Sequence, residues 1–228
     1  MQRYQWLLFD ADGTLFDFDR SESIALEEAF RLQGVAFDPG YLPTYRRISR
    51  ALWDAVERGE TTPNLLKERR FELLLETIGV KHSPVAFSTS YIECLAARPE
   101  LIADAAEVVR ALAGKYRLAI LTNGLRAVQR PRFARSAIRD YITEIVVSDE
   151  IGVSKPAKLY FDVAFTQLGN PAKHEALMIG DGWASDIVGA MNYGLDTCWY
   201  NPANKPRPAG GNVTREISNL QELLTWLT

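Results

Sequence analysis

Cysteine is almost missing from this chain: Cys94 and Cys198 are the only two. With no metal-type spacing between them, they give no disulfide scaffold and predict free thiols in a reducing cytoplasm. Long apolar runs are missing too. None approaches the ~20 residues that span a bilayer, so no membrane-spanning segment is expected. The opening Met1-Gln2-Arg3-Tyr4-Gln5 runs straight into a strand with carboxylates at its end, and is not expected to be a signal peptide. Excess charge is also lacking. A net charge of -3 gives no electrostatic case for a nucleic acid or a membrane surface as partner. There is no internal repeat and no long low-complexity segment. What is there is 228 residues, 47% hydrophobic and 24% charged, as in an ordinary soluble globular protein. That length allows one large domain, or one domain with a smaller insert, and is ample for a core.

Trp6-Leu7-Leu8-Phe9 reads as a buried parallel strand. Residues 16–98 then offer helices and no convincing strand. Ser21 or Ser23 could cap a first helix that ends near Gly34. Tyr45, Ile48, Leu52 and Val56 recur at helical spacing. Thr62-Pro63 reads as an N-cap followed by proline at the first helical position. That third helix would bury Leu66, Leu73, Leu74 and Ile78. A fourth would carry Val85, Tyr91, Ile92 and Leu95. From about residue 99 helices alternate with strands at 116–122, 144–148, 176–179 and 197–200. This predicts an α/β fold with a parallel sheet covered on both faces. Pro131 must start or break the helix expected up to about residue 137. Residues 201–212 read as a surface loop before a short helix at 220–227.

Four segments carry candidate chemistry, each at or beyond a strand end. Asp10 and Asp12 sit where the first strand runs into a glycine turn. In an open α/β sheet this is the ligand-binding edge. Two like charges so close resist burial, so a hard divalent cation such as Mg²⁺ is the simplest expected partner. Thr122-Asn123-Gly124 ends the second strand, with donors suited to an anion. Lys155, held beside Pro156, would neutralise charge near a phosphate; alone it reads as a surface lysine. Gly180-Asp181-Gly182-Trp183-Ala184-Ser185-Asp186 closes the fourth strand. Asp181 is placed to share a cation with Asp10. Asp186 either caps the following helix or holds a metal-bound water.

Taken in order, these segments resemble the haloacid dehalogenase superfamily of phosphohydrolases over the whole chain. The resemblance implies a doubly wound sheet with the first strand central. It implies a core domain of residues 1–15 and 99–228 and a mobile helical cap of residues 16–98. It also implies roles. Asp10 would be the nucleophile that becomes an aspartyl phosphate, and Asp12 the general acid and base. Thr122, Asn123 and Lys155 would hold the phosphoryl group. Mg²⁺ would bind Asp10, the Asp12 carbonyl and Asp181. Within the superfamily the chain is more closely similar to bacterial pyrimidine 5′-nucleotidases. That similarity lies in residues 9–16, Leu52-Trp53, Arg69-Arg70-Phe71, Thr122-Asn123-Gly124, 152–156 and 195–201. It implies a nucleoside monophosphate as substrate. Trp53, Phe16, Tyr45 and Phe18 could stack on a base, but aromatics at helical spacing more often form the core of such a helical block. Gly182 departs from the pattern, standing where a hydroxyl residue often follows the metal aspartate. Other readings within the superfamily are a phosphatase for phosphoglycolate or a sugar phosphate, and a phosphomutase. A catalytically inactive sensor of a phosphorylated ligand is the reading from outside enzymology. A dehalogenase proper is not expected, because Asp12 and Asp181 would then have no purpose.

Overall fold

A computed structural model describes residues 3–208, 211 and 213–227. In chain order the elements are β1 (Trp6–Phe9), α1 (Phe18–Leu32), α2 (Tyr41–Glu57), α3 (Pro63–Thr77) and α4 (Pro84–Ala96). Then come α5 (Ala105–Ala113), β2 (Arg117–Thr122), α6 (Arg126–Ala134), β3 (Glu144–Val147), α7 (Ser148–Ile151) and α8 (Lys158–Gln167). The chain continues with β4 (Ala176–Gly180), α9 (Gly189–Tyr193), β5 (Asp196–Tyr200), β6 (Arg215–Ile217) and α10 (Glu222–Leu227). Among the described residues no helix is long and apolar enough to cross a membrane. Two compact units emerge: residues 1–17, 100–123 and 136–228, and residues 18–99 with 124–135.

The first unit is an α/β sandwich on a six-stranded sheet of order β3-β2-β1-β4-β5-β6. Every pairing is parallel. β1 lies inside the sheet with all four residues buried, which is what an uninterrupted apolar run requires. Each such side chain contributes about 1.5–3 kcal/mol when fully buried. Phe9 pairs with Ile120 on one side and Ile179 on the other. The residues just past these three therefore reach the same sheet edge: Asp10, Thr122 and Asp181. The sheet has one strand more than the alternation predicts. β6 is three residues long and reads Arg-Glu-Ile, too short and polar to stand out. It lies past the predicted loop at 201–212, in which Gly210 and Asn212 fall outside the described residues.

The second unit is helical. Thr62 caps α3 by accepting from the Leu65 N–H, and Ser83 caps α4 through Ala86 N–H. Such caps are worth about 1 kcal/mol each. α1 starts at Phe18, ahead of the expected serine caps, and Ser21 lies buried inside it. In α3 the buried positions include Phe71 and Leu75, while Leu73 and Ile78 are only partly covered. Val85 points outward at 52% exposure, so it is not core. Residues 124–135, which the sequence reading leaves with the sheet, group with the helices. The reason is packing: Leu125 and Val128 are buried in one cluster with Phe30, Phe87 and Tyr91. Pro131 sits inside α6, which ends at Ala134, short of residue 137.

Candidate active site

β1 delivers Asp10 to the sheet edge, where its N–H still donates to the Ile179 carbonyl at 2.9 Å. The chain then folds back at once. Leu15 N–H and Phe16 N–H both donate to the Ala11 carbonyl, at 3.0 and 2.8 Å. Gly13 permits this with φ of +89°, and a Cβ there would lie 2.7 Å from Asp181 Oδ2. Gly13→Ala therefore adds both left-handed strain and a clash with Asp181. The expected cost is about 1–3 kcal/mol. That predicts a Tm lower by about 2–12 °C, at ~2–4 °C per kcal/mol for a chain of this size. A thermal melt checks it, and an unchanged Tm contradicts the close approach.

Thr14 Oγ1 ties the turn to the next strand. It donates to Asp181 Oδ1 and accepts from Asp181 N–H, each at 3.1 Å. Trp199, opposite Gly180 in the sheet, donates from Nε1 to the Asp181 carbonyl at 3.1 Å. Asp181 is thus held at its carboxylate, its N–H and its carbonyl.

Lys155 occupies the centre, with 1% exposure. Its ammonium donates to Asp10 Oδ1 at 2.7 Å, Leu121 O at 2.6 Å and Asp186 Oδ1 at 2.7 Å. All three protons are spent. Asn123 fixes the lysine's backbone from both sides, donating from Nδ2 to Lys155 O and accepting from Lys155 N–H, both at 2.8 Å. The other oxygen of Asp186 accepts from Gly182 N–H at 2.9 Å.

Carboxylate oxygens of Asp10, Asp181 and Asp186 lie within 4.8 Å of one another. Three negative charges then face one ammonium, a balance of −2. Burial pushes the Asp10 carboxyl well above its ordinary value, and Asp186 and Asp181 push the same way against Lys155. Burial, with Asp186 beside it, likewise pushes Asp181 up to about 6. Burial by itself would lower Lys155, but Asp10 and Asp186 outweigh it and the ammonium is held charged. An all-oxygen donor set with two surplus negative charges fits a hard dication.

Several expectations change in detail. Lys155 is no surface lysine. Its three protons are committed to Asp10, Leu121 and Asp186. Asn123 is a brace for Lys155. Thr122 ends β2 and is buried. Asp12 is half-buried in the turn, bridged through its backbone to Phe16, and its carboxylate is outside the cluster of three. Phe16 is 1% exposed, so its ring is core and offers no face to a base. Tyr45 is fully buried against Phe71 and Tyr91. Phe18 and Trp53 are partly buried against the same helical core. At Gly182 a Cβ would lie 2.5 Å from Ser185 Oγ, so the Ser185 hydroxyl occupies the space a side chain would need. The structure adds Thr14 and Trp199, whose contacts with Asp181 span 167 and 18 residues.

The family model for haloacid dehalogenase-like hydrolases matches residues 4–194. Pyrimidine 5′-nucleotidase YjjG of Escherichia coli is 36% identical over 97% of this chain and 96% of its own length. Pyrimidine 5′-nucleotidase PynA of Streptococcus pneumoniae is 32% identical over 98% and 95%. A magnesium-bound crystal structure of the HAD-hydrolase YfnB from Bacillus subtilis superposes with a TM-score of 0.92, at 34% identity over 99% of each chain.

Proposed function

Because the chain belongs to the haloacid dehalogenase-like hydrolase family, we propose that it is a Mg²⁺-dependent phosphatase acting on pyrimidine nucleoside 5′-monophosphates. The observation that carries the chemistry is the cluster of three carboxylates, Asp10, Asp181 and Asp186, two of them buried and bonded to the Lys155 ammonium. The substrate class is supported by near full-length similarity to two pyrimidine 5′-nucleotidases from different bacteria.

Phosphate monoesters are among the slowest esters to hydrolyse unaided, and accelerations can reach ~10²¹-fold. A nucleophile, an acid and charge neutralisation are all needed. In this reading the free oxygen of Asp10 attacks phosphorus as the ester P–O bond breaks, forming an aspartyl phosphate. Asp12 gives its proton to the departing ester oxygen. It then takes a proton from the water that attacks phosphorus, and the Asp10–phosphorus bond breaks to release inorganic phosphate. Lys155 holds Asp10 in one orientation and supplies fixed positive charge in a dry site. Asp10, Asp181 and the Asp12 carbonyl would hold the metal, with Asp186 behind them. When bound, Mg²⁺ offsets the carboxylate charge and that of the phosphoryl oxygens.

The test is a phosphate-release panel run with and without a chelator. Uridine and cytidine monophosphates should exceed phosphoglycolate and hexose phosphates in kcat/KM. Stacking on a base is worth ~1–3 kcal/mol, or roughly 5- to 150-fold at ~1.4 kcal/mol per decade. Chelation should abolish turnover throughout. A flat profile removes the nucleotide assignment, and activity that survives exhaustive chelation removes the metal.

A further inference from the structure

Gly180 and Gly182 flank Asp181 and leave room for the Asp186 carboxylate. A Cβ at Gly180 would overlap that carboxylate, and one at Gly182 would lie 2.8 Å from its Oδ2. Glycine also leaves the backbone free to turn on either side of Asp181. The segment that carries two carboxylates of one sign thus has little stiffness of its own. Oxygens of Asp181 and Asp186 lie within 4.8 Å of each other. Like charges that close push apart, so something other than the local chain must hold the two groups together before a cation arrives.

One peptide plane does so. The Asp181 carbonyl and the Gly182 N–H belong to the same planar amide and point in opposite directions. Trp199 Nε1 donates to the carbonyl at 3.1 Å, and the N–H donates to Asp186 Oδ2 at 2.9 Å. Pinned at both ends, the plane cannot rotate without breaking a hydrogen bond. The bonds also run in series, and each polarises the next. From Trp199 the series crosses the amide to Asp186, then passes from Asp186 Oδ1 to Lys155 and on to Asp10 Oδ1. Trp199 is itself fixed. It lies on β5 opposite Gly180, is 2% exposed, and meets the Trp183 ring edge to face at 4.9 Å. An indole has a single N–H to give, and here it goes to this carbonyl.

We propose that Trp199 is a positioning residue for the cation: by pinning the Asp181–Gly182 peptide it holds Asp181 and Asp186 together in advance and so sets the affinity for Mg²⁺. Preorganisation of this kind raises affinity because the site need not be assembled during binding. A structural role alone, the need of a buried indole N–H for an acceptor, accounts for stability but not for metal affinity. This rests on the Mg²⁺ reading above and gives that site a determinant outside its carboxylates.

The experiment titrates Mg²⁺ into the metal-free protein by calorimetry, with Trp199→Phe beside Trp6→Phe. Trp6 is another buried tryptophan of the same sheet, 2% exposed, at the opposite end of β1 from Asp10. Both substitutions trim a buried ring, so loss of packing is common to the two. Only Trp199→Phe should bind Mg²⁺ more weakly, by about 10- to 100-fold, the scale for losing a group that orients a metal ligand. An unchanged Kd in Trp199→Phe overturns the proposal, and so does an equal loss in Trp6→Phe. Should Trp199→Phe not fold, β-(3-benzothienyl)alanine in place of Trp199 keeps the ring shape, puts sulfur where the N–H was, and carries the same comparison with the same expected loss. The two failures read differently. A parent protein that binds no Mg²⁺ removes the metal reading and this role with it. A parent affinity that survives intact in the Trp199 variants removes only the role of Trp199.

Discussion

Asp10→Asn should lose turnover by about 10⁴-fold or more, the scale seen when a nucleophile is removed, while the protein stays at least as stable as its parent. The first half follows from the proposed chemistry: an amide oxygen does not displace an ester oxygen from phosphorus. The second follows from charge. Asp10 is one of three clustered carboxylates set against a single ammonium. An asparagine oxygen in the same place still accepts from Lys155 Nζ, so that hydrogen bond survives. The balance improves from −2 to −1. Phosphate release and a melt without added metal check the two halves. Near-normal turnover removes Asp10 as nucleophile, and a Tm lowered by more than a few degrees removes the charge argument.

Lys155→Met should do the reverse to stability. It deletes the positive charge at the centre, leaves the three carboxylates without a cation, and takes a donor from Asp10 Oδ1, Asp186 Oδ1 and the Leu121 carbonyl. Breaking a buried ion pair from one side costs about 3–5 kcal/mol, or a Tm lower by about 6–20 °C at ~2–4 °C per kcal/mol. Turnover should vanish as well, because Asp10 loses the group that orients it. Added Mg²⁺ should recover part of the lost Tm, since a dication that binds only the folded protein stabilises it by mass action. Lys155→Arg should not rescue activity. The site is closed around a compact ammonium, and a planar fork cannot direct three donors to these three oxygens. A Lys155→Met protein that melts with its parent would mean that the cluster is not held together by charge.

The strands were readable because a central parallel strand must be apolar throughout, and Trp6-Leu7-Leu8-Phe9 is. That same run ends at Asp10, so the site was readable wherever a polar residue interrupts such a pattern. Asp181 and Thr122 follow the same rule. Lys155 was not readable alone: nothing in Ser154-Lys155-Pro156 separates a surface lysine from one enclosed by two carboxylates 145 and 31 residues away. Thr14 and Trp199 were missed for the same reason, since their partner lies on another strand. Aromatic residues at helical spacing read first as core, and Tyr45 and Phe16 are buried. Helical spacing finds Tyr45 but does not say whether it faces a ligand or Phe71 and Tyr91. β6 was lost because an edge strand of three residues has no room for a pattern.

The allegiance of residues 124–135 bears on how this protein can be taken apart. The chain passes between the two units at 17/18, 99/100, 123/124 and 135/136. The helical unit is therefore no two-ended cassette. A graft of residues 18–99 into another hydrolase would leave behind Leu125 and Val128, which are 5% and 3% exposed here. The transplanted bundle would carry an uncovered apolar face, and the emptied host would keep a helix with nothing to pack on. Trading the helical unit between relatives requires two segments to move together, and one of them begins at the residue directly after Asn123, the brace of Lys155. Recombination that respects only the larger insertion would separate side chains that fold as one core.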